Sequence, residues 1–336
     1  MLAKLLHNGD RRGIVTAERD PDESNAGEPG GQERFFVDAR GAEGVLVGDN
    51  PTLISYNYDT RGWTDRAAPP PLVEFAGVVD SPYRGLGAFE ERDAAFFFGR
   101  DGAATELLEL MSRRLAGPSL MVVSGVSGAG KSSLLRAGVL PRIRGVGLAD
   151  APGSMSWPCR LFTPGPHPLD ELAAQVASLA GVGAASVRHG LDVDPARFAL
   201  DAYQAALVAS SGPADEPVRA RRQRRMLLVV DQFEQVFTQC PDEDQRQAFI
   251  AALYAAASVG HGGEQMPAAL VVLVVRADFE ARCADYPQLT AAVRDRYLVT
   301  SMTQRQLRMA ITEPAKKAGS LVEDDLVEML LREVRT

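Results

Sequence analysis

The sequence lacks the features that mark a membrane protein, a disulfide-stabilised protein or a zinc protein. Its longest apolar run, Ala268 to Val275, falls far short of the roughly 20 residues that a membrane-spanning helix needs. The N-terminus has no apolar segment of the kind found in signal peptides. The cysteines Cys159, Cys240 and Cys283 are far apart and none stands in a CxxC pair. We therefore expect a soluble protein of a reducing compartment, the cytoplasm, with no membrane partner.

An excess of positive charge is also missing. The formal net charge is −8, whereas sequence-independent binding to nucleic acid needs a basic surface that neutralises phosphates. The four histidines share no metal-ligand spacing and suggest no catalytic triad. One local basic cluster precedes a strand, and without interleaved aromatic residues we interpret it as a solvated loop, the alternative being contact with acidic partners or nucleic acid. The cluster consists of Arg219, Arg221, Arg222, Arg224 and Arg225.

What is present is the composition of a folded protein in several parts. Hydrophobic residues make up 46% and charged residues 24% of the 336 positions, which predicts a core of ordinary size. Residues 1–43 are charged and glycine-rich, and we expect them to be flexible. Residues 44–58 are β-prone and carry one charge, whereas residues 59–81 are polar and proline-rich and read as a linker.

Residues 82–300 alternate apolar runs with amphipathic segments, which predicts the α/β class: a parallel sheet flanked by helices. The buried strands are expected at Leu120 to Ser124, Met226 to Val230 and Leu270 to Val275. A helix is expected between the last two strands, over Gln245 to Ala257.

Residues 301–336 predict the start of a helical subdomain. Thr303 and Gln306 have the spacing of a capping box and precede a helix. A further helix is expected from about Asp324 and runs towards the end of the sequence, as it would in a truncated product.

The segment from Gly125 to Ser132 matches the pattern G-x-x-x-x-G-K-[ST], between a predicted strand and a predicted helix. The glycines let main-chain amides converge on phosphates, Lys131 supplies a charge for the β and γ groups, and Ser132 offers a hydroxyl to Mg²⁺. A bare strand-to-helix turn would need neither the lysine nor the hydroxyl. The predicted nucleotide-binding residues are Gly125, Ser127, Gly128, Ala129, Gly130, Lys131, Ser132 and Ser133, together with Gly99 and Arg100.

Asp231 ends an apolar strand and is the predicted second magnesium ligand beside Ser132, acting through water. Glu234, three residues later, is a candidate to orient or deprotonate the attacking water; the alternative is a solvated carboxylate. Gln235 stands where many ATPases have a second acid, so we expect slow hydrolysis.

Arg276 ends the third strand, where an arginine can sense a γ-phosphate. Pairing with Asp278 or Glu280 is the structural alternative. The segment Phe96 to Arg100 supplies apolar surface and a turn that either closes over the adenine or belongs to the core.

Together these segments resemble the STAND class of signal-transduction NTPases, and specifically the bacterial novel STAND NTPases, over about residues 82–320. The matching segments are PYRGL at 82–86 with Phe89, AAFFFGR at 94–100, GVSGAGKSSLLRAGVLP at 125–141, Pro164-Gly165, Pro168-Leu169, DQFE at 231–234, RADF at 276–279 and EPA at 313–315. The resemblance implies an ATP/ADP switch with Mg²⁺ that oligomerises and presents an N-terminal effector, often in bacterial defence or regulated cell death. Where the family commonly reads DQFEE, this chain has Gln235, and the sensor repeats of the family are not in this sequence.

Residues 44–58 are also similar to short amyloid-signalling motifs related to the receptor-interacting homotypic motif. The stretch from Leu53 to Tyr58 is uncharged and β-prone, as cross-β stacking requires, but Pro51 interrupts backbone pairing. The alternative is a strand on the NTPase core or an incidental apolar linker.

Two classes of function follow. The first is an ATP-dependent signalling switch that self-associates and recruits an effector through its N-terminal region. The second is a motor or remodelling ATPase that acts on DNA or protein; it requires fast turnover, which Gln235 disfavours. A scaffold that has lost nucleotide binding is contradicted by the intact Lys131, Ser132 and Asp231.

Overall fold

A computed structural model describes residues 3–6, 13–15, 44–46, 81–85, 87–210, 224–258 and 266–334. The chain divides into two compact units, Met1–Glu74 and Phe75–Thr336. The described part of the first unit is a three-stranded antiparallel sheet with the middle strand β1 paired to both others. Its strands are β1 (Ala3–Leu6), β2 (Gly13–Val15) and β3 (Gly44–Leu46). The remainder of the predicted flexible region, residues 47–58 of the amyloid-like segment and linker residues 59–80 lie outside the described residues.

The second unit is built on a five-stranded sheet in the order β5-β6-β7-β4-β8, with every pair parallel. Its strands are β4 (Leu120–Gly125), β5 (Cys159–Phe162), β6 (Met226–Val230), β7 (Ala269–Arg276) and β8 (Tyr297–Leu298). The predicted α/β class is confirmed. The parallel order also brings the carboxyl ends of all five strands to one edge of the sheet, where α/β proteins bind their ligands.

Helices connect the strands and cover both faces of the sheet. They are α1 (Asp101–Arg114), α2 (Lys131–Ser133), α3 (Leu140–Val146), α4 (Pro168–Ala180), α5 (Ala184–Val193), α6 (Phe198–Ala209), α7 (Gln235–Thr238), α8 (Glu243–Ser258), α9 (Glu280–Ala284), α10 (Pro287–Arg294), α11 (Gln304–Lys317) and α12 (Asp324–Glu333). A π-helical stretch, Leu134–Val139, joins α2 to α3. Short 3-10 turns are Glu91–Phe96, Pro152–Ser156, Pro195–Arg197 and Ala277–Phe279.

The sheet separates two hydrophobic cores, and the central strands supply both because successive side chains point to opposite faces. Leu120 and Val122 of β4 join the core under α4, α6 and α8. Met121 and Val123 join the other core, under α1 and the helix that follows Lys131. A strand covered on both faces reads as a continuous apolar run, which is why β4, β6 and β7 were predictable within one residue at each end.

Two strands escaped prediction because they are short and lie at the sheet edges. Strand β5 has four residues, including Arg160, and only Phe162 is fully buried. Strand β8 has two residues, neither of them fully buried. The capping box of Thr303 with Gln306 is confirmed: each side chain bonds the other's main-chain N–H. Helix α12 begins at Asp324, as predicted.

The basic cluster is not a solvated loop throughout. Arg225 is only 2% exposed and stands directly before β6, and Arg224 donates to the carbonyls of Leu207 and Ser210. The interpretation was wrong for Arg225, because a position beside a strand places its side chain inside the fold, which charge counting cannot detect. The other three arginines of the cluster lie outside the described residues.

Candidate nucleotide-binding site

The glycine-rich turn after β4 has the backbone that its sequence predicts. Gly128 and Gly130 have φ values of 76° and 84°, in the left-handed region that favours glycine. A Cβ atom at either position would meet no heavy atom within 4 Å, so the turn borders open space. Lys131 then begins the helix, whose first amide groups are free to bind an anion. Ser127 lies exposed at the crest of the turn.

The Lys131 ammonium is held on the turn itself. Its Nζ donates to the carbonyl oxygens of Gly125 at 2.8 Å and of Val126 at 2.9 Å. Burial lowers the pKa of Lys131, while the nearby carboxylates of Glu234 and Asp231 act in the opposite direction. The ammonium group therefore lies on the turn, near the carboxylates of Asp231 and Glu234 that follow β6. A phosphate bound at the turn would meet it there.

Asp231 and Ser132, the predicted magnesium ligands, are in contact. The Ser132 hydroxyl donates to Asp231 Oδ1 at 2.9 Å, and Asp231 is 1% exposed at the end of β6. The same oxygen accepts from the N–H of Gln232, whose φ of 53° is unusual for a residue other than glycine. Sequence separation between the two ligands is 99 residues, so only the fold brings them together.

Arg136 is a site residue that the sequence reasoning missed. Its Nη2 donates to Asp231 Oδ2 at 3.0 Å, and its Nη1 donates to Glu90 Oε1 at 2.6 Å. We call this pair of contacts the Arg136 bridge. Burial acts to lower the pKa of Arg136, but its hydrogen bonds to Glu90 and Asp231 outweigh burial and raise it. The available signal was spacing: Arg136 stands four residues after Ser132, on the same helical face.

Glu234 and Arg276 meet through the main chain of Arg276. Glu234 accepts from the N–H of Arg276 at 3.2 Å. The Arg276 guanidinium instead pairs with Asp278, at 3.0 Å from Nε to Oδ1 and 2.7 Å from Nη2 to Oδ2, and lies over the Phe279 ring. This is the structural alternative left open by the sequence. The roles of Glu234 towards water and of Arg276 towards phosphate stay predictions.

Arg100 contacts the turn from behind. It is 6% exposed, and its Nη2 and Nη1 donate at 2.8 Å to the carbonyls of Ala129 and Thr300, respectively. Burial lowers the pKa of Arg100. Arg100 thus ties the turn to the segment after β8. Ser133 has a similar role, since its hydroxyl accepts from the N–H of Phe89 at 3.0 Å.

The phenylalanines before Gly99 pack as core residues. Phe97 packs against the core under α1, and its ring centroid lies 5.7 Å from that of Phe89. Lys317 stands over the Phe96 ring. Of the two interpretations of this segment, these contacts favour the core.

Gly99 is required by packing, and replacing it with alanine is expected to destabilise the protein by about 2 to 4 kcal/mol. Its φ is 84°, and a Cβ atom there would fall inside contact distance of the Gln306 carbonyl oxygen in α11. Gly102→Ala is the matched control, because it meets nothing within 4 Å and lies in α1, where alanine is favoured. Urea denaturation of both variants checks this; equal midpoints would contradict it.

Mg²⁺ bound with a nucleotide takes few protein ligands, and the residues present fit that requirement. Ser132 and Asp231 offer one hydroxyl and one carboxylate beside the open turn. Among the described residues no group of three or more His, Cys, Asp or Glu side chains is arranged to hold a metal ion by itself. None of the helices in that part of the chain has the length and apolar character that crossing a bilayer takes.

Comparison with known proteins adds a family. Residues 82–336 match the family described as Novel STAND NTPase 1. No curated protein matches the chain. A chain from a solved complex of HORMA, CdnC and Trip13 from E. coli MS115-1 is 16% identical, with 73% of this chain and 77% of that chain covered and a TM-score of 0.41. A likeness that distant carries no argument about this chain.

Proposed function

Since this chain belongs to the Novel STAND NTPase 1 family, a family of signalling NTPases, we propose that it is a switch controlled by ATP or ADP with Mg²⁺. Its output is self-association, and its setting is bacterial defence or regulated cell death in the cytoplasm. Recruitment of an effector through the N-terminal region, including residues 44–58, belongs to the same proposal.

The observation that carries the proposal is the Arg136 bridge. The Asp231 carboxylate is shared between Ser132, on the nucleotide side, and Arg136, which continues to Glu90. Glu90 belongs to the segment that precedes α1, near the start of the residues that match the family. A change in the partners of Asp231 is thereby passed to the start of the NTPase region.

The charges indicate the direction of that change. Mg²⁺ held by Ser132 and Asp231 would neutralise phosphate charge. With such an ion bound, the Asp231 carboxylate would be shared between two cations, its contact with Arg136 would weaken, and Glu90 would be the remaining carboxylate partner of Arg136 in the bridge. Two arrangements of Arg136 that differ in nucleotide affinity are sufficient for a switch, and a few kcal/mol of difference moves most of the population.

We expect slow turnover, which would favour a switch over a motor. Gln235, in place of a second acid, donates from Nε2 to Gln232 Oε1 at 2.9 Å, so its amide is engaged locally. Glu234 is held by a main-chain N–H. A motor or remodelling ATPase, the second candidate, requires fast hydrolysis stimulated by DNA or protein.

Size-exclusion chromatography with light scattering tests the proposal. The protein is measured with ADP and with a non-hydrolysable ATP analogue, each with Mg²⁺, beside Lys131→Ala. Larger particles with one nucleotide only, lost in Lys131→Ala, support nucleotide-gated assembly. An unchanged monomer under every condition, combined with polymer-stimulated hydrolysis, would favour the motor.

Glu90→Gln tests the Arg136 bridge within that assay. The substitution weakens the outer half of the bridge and leaves Asp231 intact. We expect the nucleotide concentration for half-maximal assembly to shift by about 3- to 10-fold, the value of one charge-assisted hydrogen bond at a partly exposed position. Glu91→Gln is the matched control. Glu91 lies next to Glu90 in the same segment, but it pairs with Arg144 of α3, at 3.0 Å. Equal shifts in the two variants would show that the Arg136 bridge has no part in the switch.

A further inference from the structure

A large cavity lies at the opposite edge of the sheet from the glycine-rich turn. Its volume is about 710 Å³, and three of its lining residues lie just ahead of strands: Trp157 is two residues before β5, Arg225 is immediately before β6 and Met266 is three residues before β7. Arg113, at the end of α1, also lines it. We call it the amino-edge cavity. Nucleotide phosphates bind at the carboxyl edge of such sheets, so this cavity is separate from the site described above.

Arg225 brings a buried charge to the cavity. Its Nη1 donates to Ser119 Oγ and its Nη2 to the Leu115 carbonyl, both at 3.1 Å. The Nε atom is buried and has no hydrogen-bond partner. In the part of the chain that the structure describes, no carboxylate pairs with this guanidinium. Two neutral acceptors therefore face one fully charged group that is 2% exposed.

A buried cation without a carboxylate is costly, because the charge has left water without an opposite charge to replace it. Burial lowers the pKa of Arg225 to about 10, well below the value of a solvated guanidinium. An anion in the adjoining cavity would supply the missing charge. This is the physical reason to look for a ligand here rather than for a purely structural arginine.

The other charged residues around the cavity favour an anion as well. Among the described residues that line it, Arg113 adds a further positive charge and Asp150 is the one acidic residue. The Arg113 side chain is 65% exposed and 3.9 Å from Glu109, which leaves it mobile enough to reach a ligand. Positive charge therefore exceeds negative charge among these described residues, although the whole chain has a formal net charge of −8.

Trp157 gives the cavity a flat aromatic wall beside the buried charge. The Arg225 guanidinium carbon lies 5.9 Å from the centroid of the Trp157 ring. Aromatic rings of ligands stack on tryptophan, while arginines bind their phosphates. A volume of about 710 Å³ is in the range of sites for small organic ligands. We propose that the amino-edge cavity binds a phosphorylated ring compound of about mononucleotide size.

The test uses the full chain with the site at the glycine-rich turn saturated with ADP and Mg²⁺. Any further binding is then to another site. AMP, inorganic phosphate and adenosine are titrated separately, and the thermal midpoint and the heat of binding are recorded. We expect AMP to bind at least about 10-fold more tightly than either partial ligand, since only AMP uses both the arginines and the ring. Absence of any AMP response in the ADP-saturated protein would overturn the proposal.

Variants locate the binding. Arg113→Gln is expected to weaken AMP binding about 5-fold, and Trp157→Leu is expected to reduce AMP to the affinity of inorganic phosphate. Arg305→Gln is the matched control, because Arg305 is exposed on α11, away from the cavity lining. AMP binding that is equal in Arg113→Gln and Arg305→Gln would overturn the assignment to this cavity.

Arg225→Met distinguishes a ligand-binding arginine from a structural one. Here a buried charge with no described carboxylate partner is replaced by an apolar side chain of similar length. The midpoint of thermal unfolding should therefore stay unchanged or rise, and the response to AMP should be lost. A large fall in the midpoint together with a retained AMP response would show that the arginine only braces Ser119 and Leu115. If the variant does not fold, Arg113→Gln and Trp157→Leu decide the question.

Discussion

Replacing Lys131 with alanine is expected to weaken ATP binding by about 30- to 700-fold. The lysine is the charged donor of the glycine-rich turn, and the carboxylates of Glu234 and Asp231 oppose the lowering of its pKa by burial. A charged hydrogen bond to phosphate in a partly desolvated site contributes about 2 to 4 kcal/mol, and each 1.4 kcal/mol is about tenfold in affinity. Titration with a fluorescent ATP analogue measures the effect.

The matched control for this variant is Lys316→Ala. Lys316 pairs with Glu313 at 2.7 Å on an exposed face of α11, where an ion pair contributes little. We expect its affinity to equal that of the wild type. Thermal unfolding of Lys131→Ala should also stay near the wild type, because the lost contacts are two hydrogen bonds to the turn. Wild-type affinity in Lys131→Ala would refute the nucleotide site itself.

Asp231→Asn is expected to remove the effect of Mg²⁺ on nucleotide affinity and to lower the free energy of unfolding by about 2 to 4 kcal/mol. The carboxylate accepts from Ser132, Arg136 and the N–H of Gln232 while 1% exposed. An amide of the same shape turns an N–H₂ group towards one of these donors. The lower end of the range applies if Arg136 relaxes onto Glu90.

Binding with Mg²⁺ and with a chelator, in wild type and variant, measures the first effect, and urea denaturation measures the second. Asp192→Asn is the control, since Asp192 pairs with Arg188 on the surface and its side chain is 54% exposed. A variant that bound nucleotide more tightly with Mg²⁺ than with the chelator, by the wild-type factor, would remove Asp231 from the metal site.

The sequence was sufficient where structure depends on neighbouring residues. The turn from Gly125 to Lys131 is contiguous, and its left-handed positions are occupied by glycine because other residues are strained there. Strand β6 was predicted at its observed bounds, since a run of apolar residues ending in Asp231 has few other solutions in an α/β protein. Edge strand β5 was not predicted, because it is short and only one of its four residues is fully buried, so its sequence shows no continuous apolar run.

The partners of individual side chains could not be predicted from the sequence. Arg276 had two open interpretations, and its pairing with Asp278 rests on the local backbone after β7. Arg225 was assigned to a solvated loop, yet it lies buried beside Ser119, 106 positions away in sequence. No pattern in the residues around either arginine distinguishes these outcomes.

The amino-acid sequence by itself determined the α/β class, the three central strands, the glycine-rich turn and the family to which residues 82–336 belong. These features depend on local periodicity and on the types of contiguous residues, both of which are visible in the linear sequence. The tertiary structure alone decided that Arg136 joins Asp231 to Glu90, across 95 and 46 residues. It also placed the buried Arg225, which no carboxylate of the described residues pairs with, beside the amino-edge cavity. Such contacts depend on sheet order and helix packing, because strands adjacent in space are distant in the chain.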